Sequence, residues 1–357
     1  MKCKWGDLLS LEYGKPVPDK ETINGKYPVY GTNGQIGTTN LPPLCQYASV
    51  ILGRKGAYRG VHYSEKPFSV IDTAFYIKKK IEKLDLKWVY YKFLTYDINR
   101  MDSGSAIPST DRYEIYSISV DLPSFEEQHA IADTLSALDA KIANNTKINH
   151  HLEQMAQAIF KSWFVDFESF VDDKFIDSEL GQIPTGWRVG TLSELIAVKY
   201  GKDHKKLASG SIPVFGSGGI MRFVDTALYR SESVLIPRKG TLNNVIYVNQ
   251  PFWSVDTMFY TEMNRPNLAK FVYFFVRSKD LASMNAGSAV PSMTTEILNA
   301  LLVVIPPNEE LARFEEVVAV QFAQMQDNLR ENDILATLRD TLLPRLMSGE
   351  LRVKEAV

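Results

Sequence analysis

A chain of 357 residues, 45% hydrophobic and 23% charged, has the balance of a globular protein of about two domains, which excludes collagen-like and disordered classes. Its formal net charge is −2, and two cysteines, Cys3 and Cys45, are too few for a disulfide framework and read as ordinary thiols. No apolar run approaches the length of about 18 residues that spans a membrane, and Met1-Lys2-Cys3-Lys4-Trp5 opens no signal peptide, so a cytoplasmic location is expected.

Residues 1–122 predict a first α+β domain. Short β-branched and aromatic runs at 48–52, 70–77 and 117–122 are bounded by Gly, Pro and Asn and read as strands joined by turns. Gly31-Thr32-Asn33-Gly34 predicts a tight loop, Arg54-Lys55-Gly56 a turn at a strand end, and the stretch 86–94 a helix.

Residues 123–167 change character. Ser124 is a good N-cap, and Glu126 and Glu127 suit the positive end of a helix dipole. Ile131, Leu135, Leu138, Ile142, Asn145, Asn149, Leu152, Ala156, Ile159 and Trp163 follow at 3-4 spacing. Such spacing makes one seam along a helix of about 40 residues, roughly 60 Å long. An acidic stretch with Gly and Pro at 168–186 predicts a linker.

Residues 187–306 predict a second α+β domain, with strands at 233–236, 245–248 and 301–305, a loop at Gly216-Ser217-Gly218-Gly219, a turn at Arg238-Lys239-Gly240 and a helix over 268–277. A second long helix and a tail occupy 307–357. Its seam runs Phe314, Val318, Gln321, Met325, Asn328, Asn332, Leu335, Arg339, Leu342, Leu346, rougher than the first but with both asparagines kept.

These two halves are copies, at an offset that drifts only from 185 to 183 residues. Pro28-Val29-Tyr30-Gly31 answers to Pro213-Val214-Phe215-Gly216, and Asp72-Thr73 to Asp256-Thr257. Gly104-Ser105-Ala106-Ile107-Pro108-Ser109 answers to Gly287-Ser288-Ala289-Val290-Pro291-Ser292. The period is far longer than that of solenoid or propeller repeats, so each unit is a whole domain plus a helix and an internal pseudo-two-fold is expected. Helices related in that way pack antiparallel, which puts Asn145 near Asn332 and Asn149 near Asn328. Buried seam asparagines cost stability but fix register; the alternative is that they line a wet gap. Charge repeats too: residues 1–122 and 187–306 carry +4 and +5, whereas 123–186 and 307–357 carry −7 and −4. Basic bodies suit a polyanion and acidic segments suit protein partners or solvation.

Catalytic and metal motifs are missing. The Gly-Lys pairs at 14–15, 25–26 and 201–202 lack the spacing of a phosphate loop, and there is no HExxH, paired Cys/His spacing or GxSxG elbow. His150-His151 reads as surface. The repeated Arg-Lys-Gly is the best polar candidate, because Arg forks onto a guanine edge or a phosphate and Lys supplies a point charge; the plain alternative is a solubilising hairpin. The Gly-Ser-Ala loops offer hydroxyls and amides suited to phosphates or to a structural turn. For Asp72-Thr73 and Asp256-Thr257 a turn or capping role is expected. The candidate DNA contacts are Tyr30, Asn33, Arg54, Lys55 and Arg59 in the first domain, and Ser217, Arg238, Lys239, Asn243 and Asn244 in the second. The copies differ at Gly34-Gln35-Ile36-Gly37 and Gly219-Ile220-Met221-Arg222.

Taken in order, Leu122-Pro123 with Glu126-Glu127-Gln128, Phe160-Lys161-Ser162-Trp163-Phe164-Val165-Asp166-Phe167, Gly181-Gln182-Ile183-Pro184-Thr185-Gly186-Trp187 and Leu343-Pro344-Arg345-Leu346-Met347-Ser348-Gly349-Glu350-Leu351 resemble the specificity subunit of Type I restriction–modification systems over essentially the whole chain. One departure is that the first unit begins at Trp5-Gly6-Asp7-Leu8 without the Gly-x-Ile-Pro-x-Gly-Trp lead-in. The resemblance implies two target-recognition domains, each reading half of a bipartite, asymmetric double-stranded DNA site, separated by an antiparallel coiled-coil pair. It implies two methylation subunits docked on the helices and restriction subunits in the full complex. The chain itself would be non-catalytic and hold no cofactor or metal, with S-adenosylmethionine, ATP and magnesium in the partner subunits. The rival reading is a free-standing, repressor-like duplicated DNA binder.

Overall fold

A computed structural model of the chain describes residues 2–101, 108–284 and 291–353. Residues 104–107 and 287–290 of the two Gly-Ser-Ala loops therefore lie outside the described residues. The chain forms two compact units: Met1–Thr146 with Leu329–Val357, and Lys147–Asn328. Each holds one α+β domain and one half of each long helix, Phe125–Phe164 and Asn308–Ser348.

The first unit has a four-stranded antiparallel sheet in the order Leu9–Tyr13, Ala74–Lys79, Ser49–Gly53, Val61–Ser64. A three-stranded sheet, Gly34–Thr39, Tyr27–Gly31, Ser69–Val70, stands beside it, its last pair parallel. Lys2–Lys4 pairs with Ser119–Asp121. The run 70–77 is thus two strands, because Asp72-Thr73 turns the chain between them. The stretch 117–122 ends a short helix, Arg112–Ser117, before its strand begins.

The second unit repeats every part. Its four-stranded sheet runs Ile196–Tyr200, Met258–Met263, Ser233–Pro237, Ile246–Val248, and its three-stranded sheet Gly219–Val224, Ile212–Gly216, Trp253–Ser254. Arg188–Thr191 pairs with Leu302–Ile305. The stretch expected as a linker contains a hairpin, Phe175–Ser178 with Gly181–Pro184, and delivers Phe170 and Ile183 to the core beside Trp187.

Apolar packing joins helix to domain in both units. In the first, Trp5, Trp88 and Phe93 pack with Ile131, Ala132 and Leu135 of one long helix and Leu346 and Met347 of the other. In the second, Phe271 and Phe274 pack with Ala156, Phe160 and Phe164, and with Phe314, Val318 and Phe322. The first helix starts as its sequence dictates: Ser124 Oγ accepts from the Glu127 amide at 3.2 Å. Gln128, buried, accepts from the Asp85 amide at 3.0 Å and donates to the Pro123 carbonyl at 3.1 Å, which ties the helix start to the domain.

Within the first unit the two helix segments run in opposite directions. Asn145, only 1% exposed, donates from Nδ2 to Asn332 Oδ1 at 3.0 Å and to Glu331 Oε2 at 2.7 Å. In the second unit Asn328 donates to Asn149 Oδ1 at 2.7 Å, and Asn149 donates to the Met325 carbonyl at 3.1 Å. The amides bond directly to each other, so they are not lining a wet gap. Arg339, which roughens the second seam, meets Asp139 at 2.8 Å, and Asp139 also accepts from Tyr91 Oη at 2.6 Å. Glu153 is held in a parallel way by Tyr273 and Arg277 in the second unit.

Candidate nucleic-acid interface

The strand Ser49–Gly53 is buried throughout and runs straight into Arg54-Lys55-Gly56. Arg54 and Lys55 amides both donate to the Thr73 carbonyl, at 2.9 and 3.1 Å. The Arg54 carbonyl accepts from Thr110 N at 2.8 Å, and Gly56 N donates to Pro108 O at 2.9 Å. In the second domain Arg238 and Lys239 donate to the Thr257 carbonyl at 2.8 and 3.2 Å, Arg238 O accepts from Met293 N at 2.8 Å, and Gly240 N reaches Pro291 O at 3.4 Å. The two turns are braced identically, which explains the repeated Asp-Thr and Pro-Ser elements. Gly56 and Gly240 sit at φ +121° and +87°, a region that penalises any Cβ.

The side chains repeat as well. Arg54 lies over the Tyr13 ring with 4.8 Å to the centroid and donates to the Asp72 carbonyl at 3.0 Å. Arg238 lies over Tyr200 at 5.3 Å and donates to the Asp256 carbonyl at 3.2 Å. Tyr13 and Tyr200 rest on Phe75 and Phe259 and keep 44% and 52% of their surface exposed. A guanidinium held on an aromatic face keeps donors for an anion while its plane is fixed. Lys55 is half exposed, with Nζ 3.8 Å from the Asp72 carboxylate, and Lys239 is exposed.

Sequence reasoning missed the tyrosines. The signal was available: Tyr13-Gly14-Lys15 recurs as Tyr200-Gly201-Lys202. The glycine is obligatory in both, since a Cβ would stand 2.0 Å from the Ile71 carbonyl oxygen in one copy and from that of Val255 in the other. Arg112 was missed too. Its guanidinium lies 5.2 Å from the Tyr13 ring and 4.9 Å from Tyr113, and Thr295 holds the equivalent first position of the second domain's short helix.

Other expected contacts do different work. Arg59 is 2% exposed, and its guanidinium donates to the carbonyls of Gly56, Ile98 and Asn99 at 3.3, 3.2 and 2.8 Å. It staples the loop to the domain and, buried, presents no donor to a surface. Asn243 accepts from the Ala282 amide at 3.1 Å and donates to Asp280 at 3.4 Å, and Asn244 donates to the Ser217 carbonyl at 2.8 Å. Both amides therefore hold loops. Ser217 is half-buried at the hairpin turn, its Oγ 2.9 Å from where a Cβ on Gly240 would be. Asn33 is exposed in the equivalent turn, whose Thr32 hydroxyl donates to the Lys55 carbonyl at 2.8 Å. Tyr30 stands apart, half-buried on Phe68 in a cleft of about 390 Å³ with Gln35, Tyr63, Lys26 and Lys66.

Among the described residues no group of His, Cys, Asp and Glu could hold a metal ion, and no helix is long and apolar enough to cross a membrane. Burial raises the thiol of Cys45, which donates to the Tyr47 carbonyl at 3.3 Å.

Known proteins share this plan. Across 301 residues the chain is 27% identical to the Type I restriction enzyme MjaIX specificity subunit of Methanocaldococcus jannaschii, covering 75% of this chain and 70% of the relative. It is 22% identical to the MjaVIII specificity subunit of the same organism, over 98% and 92% of the two chains. The crystal structure of the Type I restriction–modification system S subunit from M. genitalium superposes with a TM-score of 0.63 at 19% identity, over 97% of this chain and 96% of that one, a likeness of fold. The family model for the Type I restriction modification DNA specificity domain matches twice, at residues 1–154 and 184–342. Each match contains one Arg-Lys-Gly turn with its tyrosine and the asparagine-bearing part of one long helix, so the duplication read from the sequence is a duplication of that domain, and the chain belongs to the Type I restriction modification DNA specificity domain family.

Proposed function

We propose that this chain is the DNA sequence-specificity subunit of a Type I restriction–modification enzyme, each domain reading one half of a bipartite, asymmetric site. The observation that carries the reading is the pair of Arg-Lys-Gly turns, braced by the same hydrogen bonds and each with its guanidinium on an exposed tyrosine. Two such turns with different neighbours are two readers with different preferences. Arg54 and Arg238 contact base edges or phosphates, Lys55 and Lys239 contact phosphates, and Asn33 and Ser217 add contacts from the adjoining turns.

The long helices dock two methylation subunits, and restriction subunits join in the full complex. Exposed apolar residues support this: Met155 and Val320 in one unit, and Leu329, Ile334 and Leu338 in the other, are 44–73% exposed. The chain does no chemistry; S-adenosylmethionine, ATP and magnesium belong to the partner subunits. The test is co-expression with the neighbouring methylation subunit, followed by methylome sequencing and duplex-binding measurements on the complex. A split, asymmetric methylated sequence that the complex binds selectively is the expected result. Specific nanomolar binding by the chain alone, with no methylation-subunit association, would instead establish the repressor-like reading.

A further inference from the structure

The second domain carries an apolar surface that its role in fixing the Arg-Lys-Gly turn leaves unexplained. In the strand Gly219–Val224, Ile220, Met221 and Phe223 are 53%, 58% and 50% exposed. Arg222, between them, is folded back and donates to the Leu207 carbonyl at 3.0 Å, so the outward surface is hydrocarbon and thioether. This strand is the edge of its three-stranded sheet. Exposed edges are usually blunted with charge, and three large apolar side chains within four residues of one mark a contact surface.

Geometry identifies the occupant. The strand is one arm of a hairpin whose turn, Ser217-Gly218, lies against Gly240 and is tied to the loop that follows the Arg238-Lys239-Gly240 turn. Ser217 O accepts from Asn244 at 2.8 Å, and Ser217 Oγ lies 2.9 Å from the place of a Cβ on Gly240. A Cβ added at Gly218 or Gly219 would meet nothing within 4 Å, so the tip stands clear of the domain. An apolar finger fixed beside two cations matches one kind of surface: a nucleic-acid groove, where phosphates flank base edges that include methyl groups and stacked faces.

The first domain differs at this point. By the same offset Ile220, Met221 and Phe223 answer to Gln35, Ile36 and Thr38. Only the middle position is shared: Ile36 lies over Gly31 as Met221 lies over Gly216, 3.3 and 2.6 Å from the place of an added Cβ.

Resting on the reading above, we propose that Ile220, Met221 and Phe223 form an apolar finger that the second domain sets against the bases of its half-site, at thymine methyl groups or into a base step. The first domain's hairpin carries Gln35 and Thr38 at two of these three positions and keeps only Ile36 apolar. The two half-sites are therefore distinguished by chemistry as well as by sequence.

The variant Ile220→Gln with Phe223→Thr places the first domain's residues on the second hairpin, which keeps the fold within reach. Ile220→Gln alone serves as a second, milder variant. Each is studied as the complex with methylation subunits, on a fluorescein-labelled duplex carrying the methylome-derived target and on an unrelated duplex. Expected is a loss of tenfold or more on the target, with unchanged affinity for the unrelated duplex and an unchanged salt slope. Replacing thymine by uracil in the second half-site should weaken the wild type and leave the variant unaffected if methyl groups are touched. A 2-aminopurine signal present in the wild type and lost in the variant marks base-step insertion instead. Equal target binding by wild type and both variants overturns the proposal. So does weakened retention of the methylation subunit at unchanged intrinsic target binding, which assigns the surface to protein. A wild-type complex with no preferred sequence overturns the parent reading, and this one with it.

Discussion

The asparagine contact in the first unit makes a quantitative test of how the helices hold register. Asn145 gives Nδ2 to both Asn332 and Glu331, while its own Oδ1 is buried with no hydrogen-bond partner among the described residues. Asn145→Leu removes one neutral and one charge-assisted hydrogen bond, a loss of about 3 kcal/mol, and recovers about 2 kcal/mol through apolar burial. The single variant should be destabilised by about 1 kcal/mol, and Asn332→Leu by about as much, because it leaves Asn145 facing hydrocarbon. In the double variant no neutral amide remains at the contact, and Glu331 keeps Lys141 at 3.1 Å. Two leucines then outweigh the lost bonds, and the double variant should exceed wild type by about 1 kcal/mol. The cycle would depart from additivity by about 3 kcal/mol, against about 0.5 for independent sites. Urea unfolding supplies the energies. Register is read by disulfide trapping of Ile142→Cys with Leu335→Cys against the slipped pair Ile142→Cys with Leu342→Cys, in a background lacking Cys3 and Cys45. The double variant should trap both pairs, where wild-type asparagines permit only the first. Additive singles together with exclusive in-register trapping would refute the argument.

Four further outcomes follow from the same contacts. Lys55→Ala or Lys239→Ala should weaken binding to all duplexes alike and reduce the salt slope by about 0.9 per phosphate lost, whereas Arg54→Ala or Arg238→Ala should relax preference at one position, read by competition with single-base variants. Arg59→Ala should cost about 3 kcal/mol in thermal unfolding, since three carbonyls lose a buried charged donor, yet leave the salt slope of the folded complex untouched. Ala in place of Gly14 or Gly201 should destabilise by about 2 kcal/mol or more, given backbone that cannot retreat from a carbonyl oxygen. His129 donates to Asp85 at 3.0 Å, and that bond, with Asp133, raises its pKa above 6.5. A raised folded pKa means a contribution fully present below the unfolded value and lost as pH rises through the folded one. The stability difference between wild type and His129→Gln should therefore shrink as pH climbs above 6.5, and an NMR titration in which His129 titrates at or below 6.5 would contradict it.

The long helices were legible because a 3-4 seam over some 40 residues has few other physical meanings, and the asparagines stood out as the polar pair on it. Strand positions were legible from short apolar runs bounded by turn residues, but the split at Asp72-Thr73 was not. An apolar run across a turn looks continuous until the turn's carbonyl is seen accepting from Arg54 and Lys55. Arg59 misled for a related reason. A cation three residues after a cationic turn reads as surface charge, and only the fold reveals that the carbonyls of Ile98 and Asn99 converge on it. Tyr13 was overlooked because a Tyr-Gly-Lys triplet carries no chemistry alone; its meaning comes from Arg54, 41 positions away along the chain.

Position 59 and its counterpart 243 show what duplication preserves. Arg59 ties the loop after the turn to Ile98 and Asn99, and Asn243 ties the equivalent loop to Asp280 and Ala282. One uses a buried guanidinium on carbonyls, the other an exposed amide bridging a carboxylate and a backbone amide. The same restraint on the backbone is met by unlike side chains, while the backbone bonds around Arg54 and Arg238 match pair by pair. What the two copies share is therefore the way each Arg-Lys-Gly turn is held, and the supporting side chains are free to differ. That freedom extends to Gln35 and Ile220, which project from hairpins lying against those turns. If the proposed function holds, a domain built this way can alter the bases it prefers without altering how the Arg-Lys-Gly turn is held.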